Sequence, residues 1–133
     1  MHILTRAHTF PHPSEAEDDG LLAIGGDLHP DRLLKAYRSG IFPWFNEGQM
    51  ALWWSPDPRM VLPPERVKVS KSMRKILRDE RYEVTYNTHF LDVILSCKRI
   101  QRVGQEGTWI TNKMVDAYVK LHELGHAVSV EVW

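Results

Sequence analysis

The sequence predicts an α+β protein in two parts, a small N-terminal domain over residues 1–62 and a second unit over residues 63–133. Three observations carry this expectation. Residues 40–62, GIFPWFNEGQMALWWSPDPRMVL, hold five of the chain's thirteen aromatic residues among three prolines, which rules out a helix there. The pair Pro63-Pro64 then marks a boundary. Beyond it the rhythm changes to short alternating runs that interleave with amphipathic helical segments.

In chain order, residues 1–20 read as a short extended piece followed by a loop, because Pro11, Pro13 and the acidic run SEAEDDG stop any periodic structure. Leu21, Leu22 and Ile24 form a buried cluster leading to a Gly25-Gly26 turn. A glycine pair can cradle a phosphate, but the surrounding spacing fits a plain turn better. Pro30 suits the first position of a helix with Leu33, Leu34 and Tyr37 on one stripe, and Gly40 stops it. That helix delivers the aromatic wall. Proline pushes the residue before it toward extended geometry, so Phe42, Ser55 and Asp57 are expected to be extended. Of Trp53 and Trp54, neighbours in an extended segment, one should face the core and the other a cleft or partner.

In the second unit, Val67 and Val69 alternate with Arg66 and Lys68 as a short strand. Ser70 or Ser72 then caps a helix to about Asp79, with Met73, Ile76 and Leu77 as its buried stripe. Lys71, Arg74, Lys75 and Arg78 share the opposite face, either as a solvated surface or as a rail for a phosphate backbone. Tyr82, Val84 and Tyr86 form the next strand, and Asn87 or Thr88 caps a helix that turns Phe90, Leu91, Ile94 and Leu95 inward. Lys98, Arg99 and Arg102 add to the basic side at its end. The glycine-bearing run Val103 to Trp109 reads as a mobile loop. A third helix, Thr111 to Leu124, places Met114, Ala117, Tyr118 and Leu121 on one face, and a strand follows over Ala127 to Trp133. So apolar a strand should pair with something, and strand addition in a homodimer or with another polypeptide is expected.

Charge balances at 17 acids against 17 bases, which argues against a nucleic-acid coat protein, but it is segregated. Residues 15–31 hold six acids and neither Lys nor Arg, whereas residues 65–81 hold seven bases against three acids. A single cysteine, Cys97, excludes an intrachain disulfide. No run approaches the roughly 20 apolar residues needed to span a bilayer, and MHILTRAHTFPHP is no signal peptide. A cytoplasmic protein without a membrane segment is the expectation.

His122-Glu123-Leu124-Gly125-His126 fits the zinc-hydrolase pattern H-E-x-x-H. Its context is poor, because Ser129 and Val132 stand near where an extended motif would supply further residues, and the alternation from Ala127 says strand, not helix. A polar helix terminus is the better account of the two histidines, and no metal is expected.

GLLAIGGDL, AYRSGIFPWF, LWWSPDPR, GTWIT and LHELGHAVSVEVW, in this order and spacing, resemble the bacterial leucyl/phenylalanyl-tRNA–protein transferase family from about Gly20 to Trp133. The resemblance implies a small N-terminal domain followed by an acetyltransferase-like (GNAT-like) α/β domain, here incomplete. It also implies an enzyme, without a cofactor, that moves Leu or Phe from aminoacyl-tRNA to the N-terminal Arg or Lys of an acceptor protein and so marks it for degradation. By this resemblance Tyr37, Trp44, Trp109 and Tyr118 line the site for the 3′-terminal adenosine and aminoacyl group, and Lys71, Lys75 and Arg78 face the acceptor stem. The catalytic residues are expected beyond residue 133. A tRNA- or RNA-binding relative without catalysis is the alternative.

Overall fold

The computed structural model describes residues 2–5, 7, 9–100, 104 and 108–133. Its elements are β1 (His2–Leu4), β2 (Leu21–Gly25), α1 (Pro30–Arg38), β3 (Phe42–Pro43), β4 (Leu52–Trp54), α2 (Lys71–Arg78), β5 (Val84–Tyr86), α3 (Phe90–Arg99), α4 (Asn112–Glu123) and β6 (Val130–Val132). Short 3-10 turns cover Pro13–Glu15 and Pro64–Arg66. The class is mixed α+β. Among the described residues, no helix is long and apolar enough to cross a membrane.

The first sheet runs β1-β2-β4-β3, with β1 parallel to β2 and the other pairs antiparallel. Pro43 has no N–H to give a ladder, and it sits in the edge strand β3, where the loss is tolerated. In the interior strand β4, successive side chains point to opposite sides. Trp53 is fully buried and donates from Nε1 to the Gly25 carbonyl at 2.9 Å, while Trp54 is half-buried on the other side. Phe10 closes over Trp53 edge-on, with ring centroids 4.9 Å apart.

Helix α1 starts as its Pro30 predicts. Leu33 and Ala36 are buried, and Gly40, at φ 73°, takes the left-handed conformation that turns the chain into β3. A buried cation was not foreseen. Arg32 is fully buried and donates to Asp27 Oδ1 at 3.2 Å, to the Ala7 carbonyl at 3.0 Å and to the Thr5 carbonyl at 2.8 Å. It therefore ties the N-terminal strand to the Gly25-Gly26 turn. A Cβ on Gly26 would lie 2.9 Å from the guanidinium carbon, so the turn's second glycine makes room for the cation.

One buried cluster joins Leu22, Leu33, Ile41 and Trp53 to Ile110, Met114, Val115 and Leu121. Helix α4 thus shares its core with the N-terminal sheet and packs on both α1 and α3. Its cap is Thr111, whose hydroxyl accepts from the Met114 N–H at 3.2 Å, and Glu47 accepts from the Asn112 N–H at 3.3 Å. A carboxylate there also complements the positive end of the helix. Gly125, at φ 78°, ends the run.

Several expectations are corrected. Arg66 to Ser70 has no strand partner; Val67 is extended, but extension without a neighbour makes no ladder. The stripe Met73, Ile76, Leu77 is not buried: Met73 and Leu77 are exposed and Ile76 is half-buried, because α2 lacks a substantial packing partner among the described residues. The N-cap of helix α3 is His89, with no side-chain cap bond, and not Asn87 or Thr88; its Leu91 is exposed while Phe90, Ile94 and Leu95 are half-buried. Asn87 instead takes φ 58° and accepts the Ser129 N–H on its side-chain oxygen at 3.0 Å. The last strand is shorter than predicted, Val130–Val132, and tyrosine 82 lies outside β5.

Replacing Arg32 tests the tie. Arg32→Met should lower unfolding stability by about 1–3 kcal/mol, because the Thr5 and Ala7 carbonyls and the Asp27 carboxylate lose their shared donor. Asp27→Asn should cost less, since that side chain is 53% exposed. Denaturant unfolding of both variants checks the order.

Candidate functional site

Of the four residues expected to line a common site, Trp44 and Trp109 line one space, Trp109 and Tyr118 line a second, and Tyr37 lines neither but meets Tyr118. Trp44 leaves β3 with half its surface exposed, and its carbonyl accepts from Trp54 Nε1 at 2.8 Å. The two indoles sit 6.2 Å apart at 55°. Together with Trp109 they wall a hollow of about 450 Å³, with Asn46, Gln49 and Thr108 adding polar groups at its edge. Trp109 also lines a second, smaller cavity of about 190 Å³ against Phe90, Ile94, Met114 and Tyr118. One indole therefore serves both spaces. On the far side, Tyr118 and Tyr37 meet through their hydroxyls, with rings edge-on at 6.4 Å. Burial raises the pKa of both tyrosines, so each remains a neutral phenol at physiological pH and the pair clasps α1 to α4.

The two spaces differ in chemistry. The larger hollow offers flat aromatic faces with hydrogen-bonding groups beside them, which suits a flat heteroaromatic ring. The smaller is apolar; a cavity of about 150 Å³ of this kind admits a benzene ring, so this one has room for one apolar side chain.

Lys71, Lys75 and Arg78 do not join this arrangement. They are exposed on α2 and line neither space, and Arg78 approaches Asp79 at 3.9 Å. Arg102 and most of the Val103 to Trp109 loop lie outside the described residues. The two histidines of H-E-x-x-H are not one helical turn apart on a helix, because α4 stops at Glu123 and Gly125 turns the chain. His122 is held otherwise: its ring stacks on Phe90 at 4.3 Å, and Nδ1 bonds the Ala127 carbonyl at 2.8 Å. Among the described residues, no group of three or more His, Cys, Asp or Glu is placed to hold a metal ion.

Sequence reasoning missed Glu131. It is 5% exposed, and its carboxylate accepts from the Ser129 hydroxyl at 2.5 Å, Thr85 at 2.8 Å, Thr88 at 2.9 Å and the His89 N–H at 3.3 Å. These donors, Ser129 foremost, outweigh the opposing effect of burial and lower its pKa to about 2. The glutamate fastens β6 to β5 and to the start of α3. It also lines a third hollow with His89, Cys97 and Trp133. The available signal was the alternation of VSVEVW, which puts Ser129 and Glu131 on one face.

Fold and site together define an α+β protein with an aromatic, ring-sized hollow opening beside an apolar cavity. The family model described as leucyl/phenylalanyl-tRNA protein transferase matches residues 61–133, and that of its N-terminal domain matches residues 26–57. This chain belongs to the leucyl/phenylalanyl-tRNA protein transferase family. It is 58% identical over its whole length to a leucyl/phenylalanyl-tRNA–protein transferase of Flavobacterium johnsoniae and 54% to that of Flavobacterium psychrophilum, spanning 63% of each. Against the enzyme so named from an Anaeromyxobacter species it is 56% identical and spans 57%. The chain thus covers less than two thirds of these relatives.

Glu131 carries a pH signature. Its folded pKa of about 2 lies below the usual carboxylate value of about 4.3. Its contribution to stability is therefore complete above that ordinary value and is lost as pH falls toward 2. Thermal melts should show the wild type weakening between about pH 5 and pH 2, with Glu131→Gln less stable at neutral pH and less dependent on acid. Parallel acid profiles for the two proteins would contradict this.

Proposed function

We propose that this chain acts in the transfer of Leu or Phe from aminoacyl-tRNA to the N-terminal Arg or Lys of an acceptor protein, the tagging step of N-end rule degradation. The observation that carries the reading is the double position of Trp109, a wall of both the ring-sized hollow and the apolar cavity. The terminal adenosine stacks between Trp44 and Trp109, with Asn46 and Gln49 at the base edge. The esterified Leu or Phe side chain enters the cavity beside Met114 and Tyr118. An apolar cavity discriminates by size, each methylene being worth about 1–3 kcal/mol, which suits a transferase that accepts two large apolar residues.

In the reaction, the acceptor's free amine attacks the ester carbonyl, the C–O bond to the adenosine breaks and the 3′-hydroxyl leaves. The residues named here bind and orient the ester; the paired neutral tyrosines keep α1 and α4 in register around it. Lys71, Lys75 and Arg78 contact the acceptor stem as exposed point charges, a role their shared helix face supports. Residues 63–133 are read as the first part of an acetyltransferase-like domain that follows an N-terminal domain over residues 1–62, with a cytoplasmic setting.

Binding and transfer together test the reading. The chain should bind phenylalanyl-tRNA more tightly than the uncharged tRNA, and, joined to the part of the Flavobacterium johnsoniae relative outside the match, it should form phenylalanyl-peptide from an Arg-starting acceptor. Trp109→Ala should weaken binding by about 1–3 kcal/mol, the worth of one stacked base. Replacing Lys71, Lys75 and Arg78 with Gln should lower the logarithmic salt slope by up to about 3. Charge-dependent binding without transfer would favour a non-catalytic tRNA-binding relative; equal binding of charged and uncharged tRNA, untouched by Trp109→Ala, would overturn the reading.

A further inference from the structure

Arg59 is exposed, yet its guanidinium is held on two sides. Nη1 donates to the Gly40 carbonyl at 2.8 Å, and the guanidinium carbon lies 4.9 Å from the centre of the Phe42 ring. The backbone that delivers it is stiff. After β4 the Ser55 N–H donates to the Gly20 carbonyl at 2.8 Å, and a Cβ on Gly20 would lie 2.7 Å from Pro56 Cα, so the chain rests directly on that glycine. Pro56 and Pro58 then fix their own φ angles. A long cation loses side-chain freedom when it takes hold of an anion; here the fold has already met much of that loss. Gly40 takes one N–H of the guanidinium, and among the described residues no carboxylate forms an ion pair with it.

Its position relates this cation to both spaces of the candidate site. Phe42 stands opposite Trp54 in the β3–β4 ladder, so the two rings share a face of the sheet, and Trp54 walls the larger hollow. On its other side Arg59 is near Tyr37. Burial raises the pKa of that phenol, and the Tyr118 hydroxyl and then the Arg59 charge oppose the rise. Tyr118, bonded to Tyr37, lines the apolar cavity. One side chain thus separates Arg59 from the lining of each space. In an aminoacyl-adenosine the ribose joins the base to the ester, so a base in the hollow and an aminoacyl side chain in the cavity leave the ribose to bridge them. That ribose also carries the 5′-phosphate, the negative charge of the terminal nucleotide.

We propose that Arg59 binds the 5′-phosphate of the terminal adenosine through a charge-assisted hydrogen bond and so fixes the ribose, with its ester, between the two spaces. The inference rests on the reading of the hollow as the adenosine site and adds to it the residue that holds the phosphate. The basic face of α2 does not compete for this contact, since its cations line neither space. The competing account is that Arg59 only closes α1, where a cation near the last carbonyls complements the negative end of the helix. That account needs the Gly40 contact alone and is indifferent to a phosphate.

Two ligands test it: a stable amide analogue of phenylalanyl-adenosine, and the same molecule carrying a 5′-methyl phosphate, which has the single negative charge of the natural linkage. The chain should bind the phosphate-bearing analogue at least about tenfold more tightly. That advantage should shrink as salt rises, with a logarithmic slope of about −0.7. Arg59→Gln should reduce the ratio of the two affinities to about twofold or less, and Arg59→Lys, which keeps the charge without the planar fork, should leave an intermediate ratio. A purely structural Arg59 would weaken both ligands alike in Arg59→Gln and keep the wild-type ratio, which would overturn the proposal. Equal affinity of the wild type for the two ligands would overturn it as well, while leaving the adenosine site standing. Binding of neither ligand would overturn it together with that site.

Discussion

The alternation of side chains along β4 is the constraint on which both core and site depend. Because Leu52–Trp54 is an interior strand, Trp53 and Trp54 cannot lie on the same side. Trp53 goes inward, where Phe10 and the Gly25 carbonyl hold it. Trp54 goes outward and fastens the backbone of Trp44 through its indole N–H. The half-exposed Trp44 is thereby set on a rigid sheet, which keeps an aromatic surface available without a floppy loop to carry it. The turn that follows supplies Glu47 to the start of α4, so the helix bearing Tyr118 is located by the same segment.

Much of this was legible because it is local. Pro30, the Ser70/Ser72 pair and Thr111 announce helix starts through backbone chemistry that acts within one turn, and the three helices begin at Pro30, after Ser70 and after Thr111. The opposed roles of Trp53 and Trp54 also followed from a two-residue period. What was not legible is non-local. Arg32 looks like any polar position on a helix, and its burial depends on carbonyls of Thr5 and Ala7 far back in the chain. Glu131 reads as a surface charge until four donors from β5, the α3 start and Ser129 converge on it. Amphipathicity alone misled for Met73 and Leu77: a stripe says which side would be buried, not that anything lies there to bury it.

The site shows the same division. Spacing of aromatics suggested a wall, yet nothing in spacing alone could say that Tyr37 would meet Tyr118 across 81 residues, or that Trp109 would face Trp44. Those associations came to the sequence only through its resemblance to a family. The basic helix was equally clear in sequence, and the structure leaves it exposed and apart from the aromatic hollow. A stem and a single-stranded end are themselves separated in space, so that spacing is compatible with one extended ligand touching both.

The central claim is that the Trp44, Trp54 and Trp109 hollow receives a terminal adenosine with its aminoacyl group in the adjoining cavity. The chain's five tryptophans make this directly measurable, since each gives one indole N–H signal by NMR. Titration with a stable amide analogue of phenylalanyl-adenosine should shift the signals of Trp44, Trp54 and Trp109 and leave in place those of buried Trp53 and of Trp133, which line neither space. Shifts confined to Trp133, or none at Trp44 and Trp109 at saturating analogue, would contradict it.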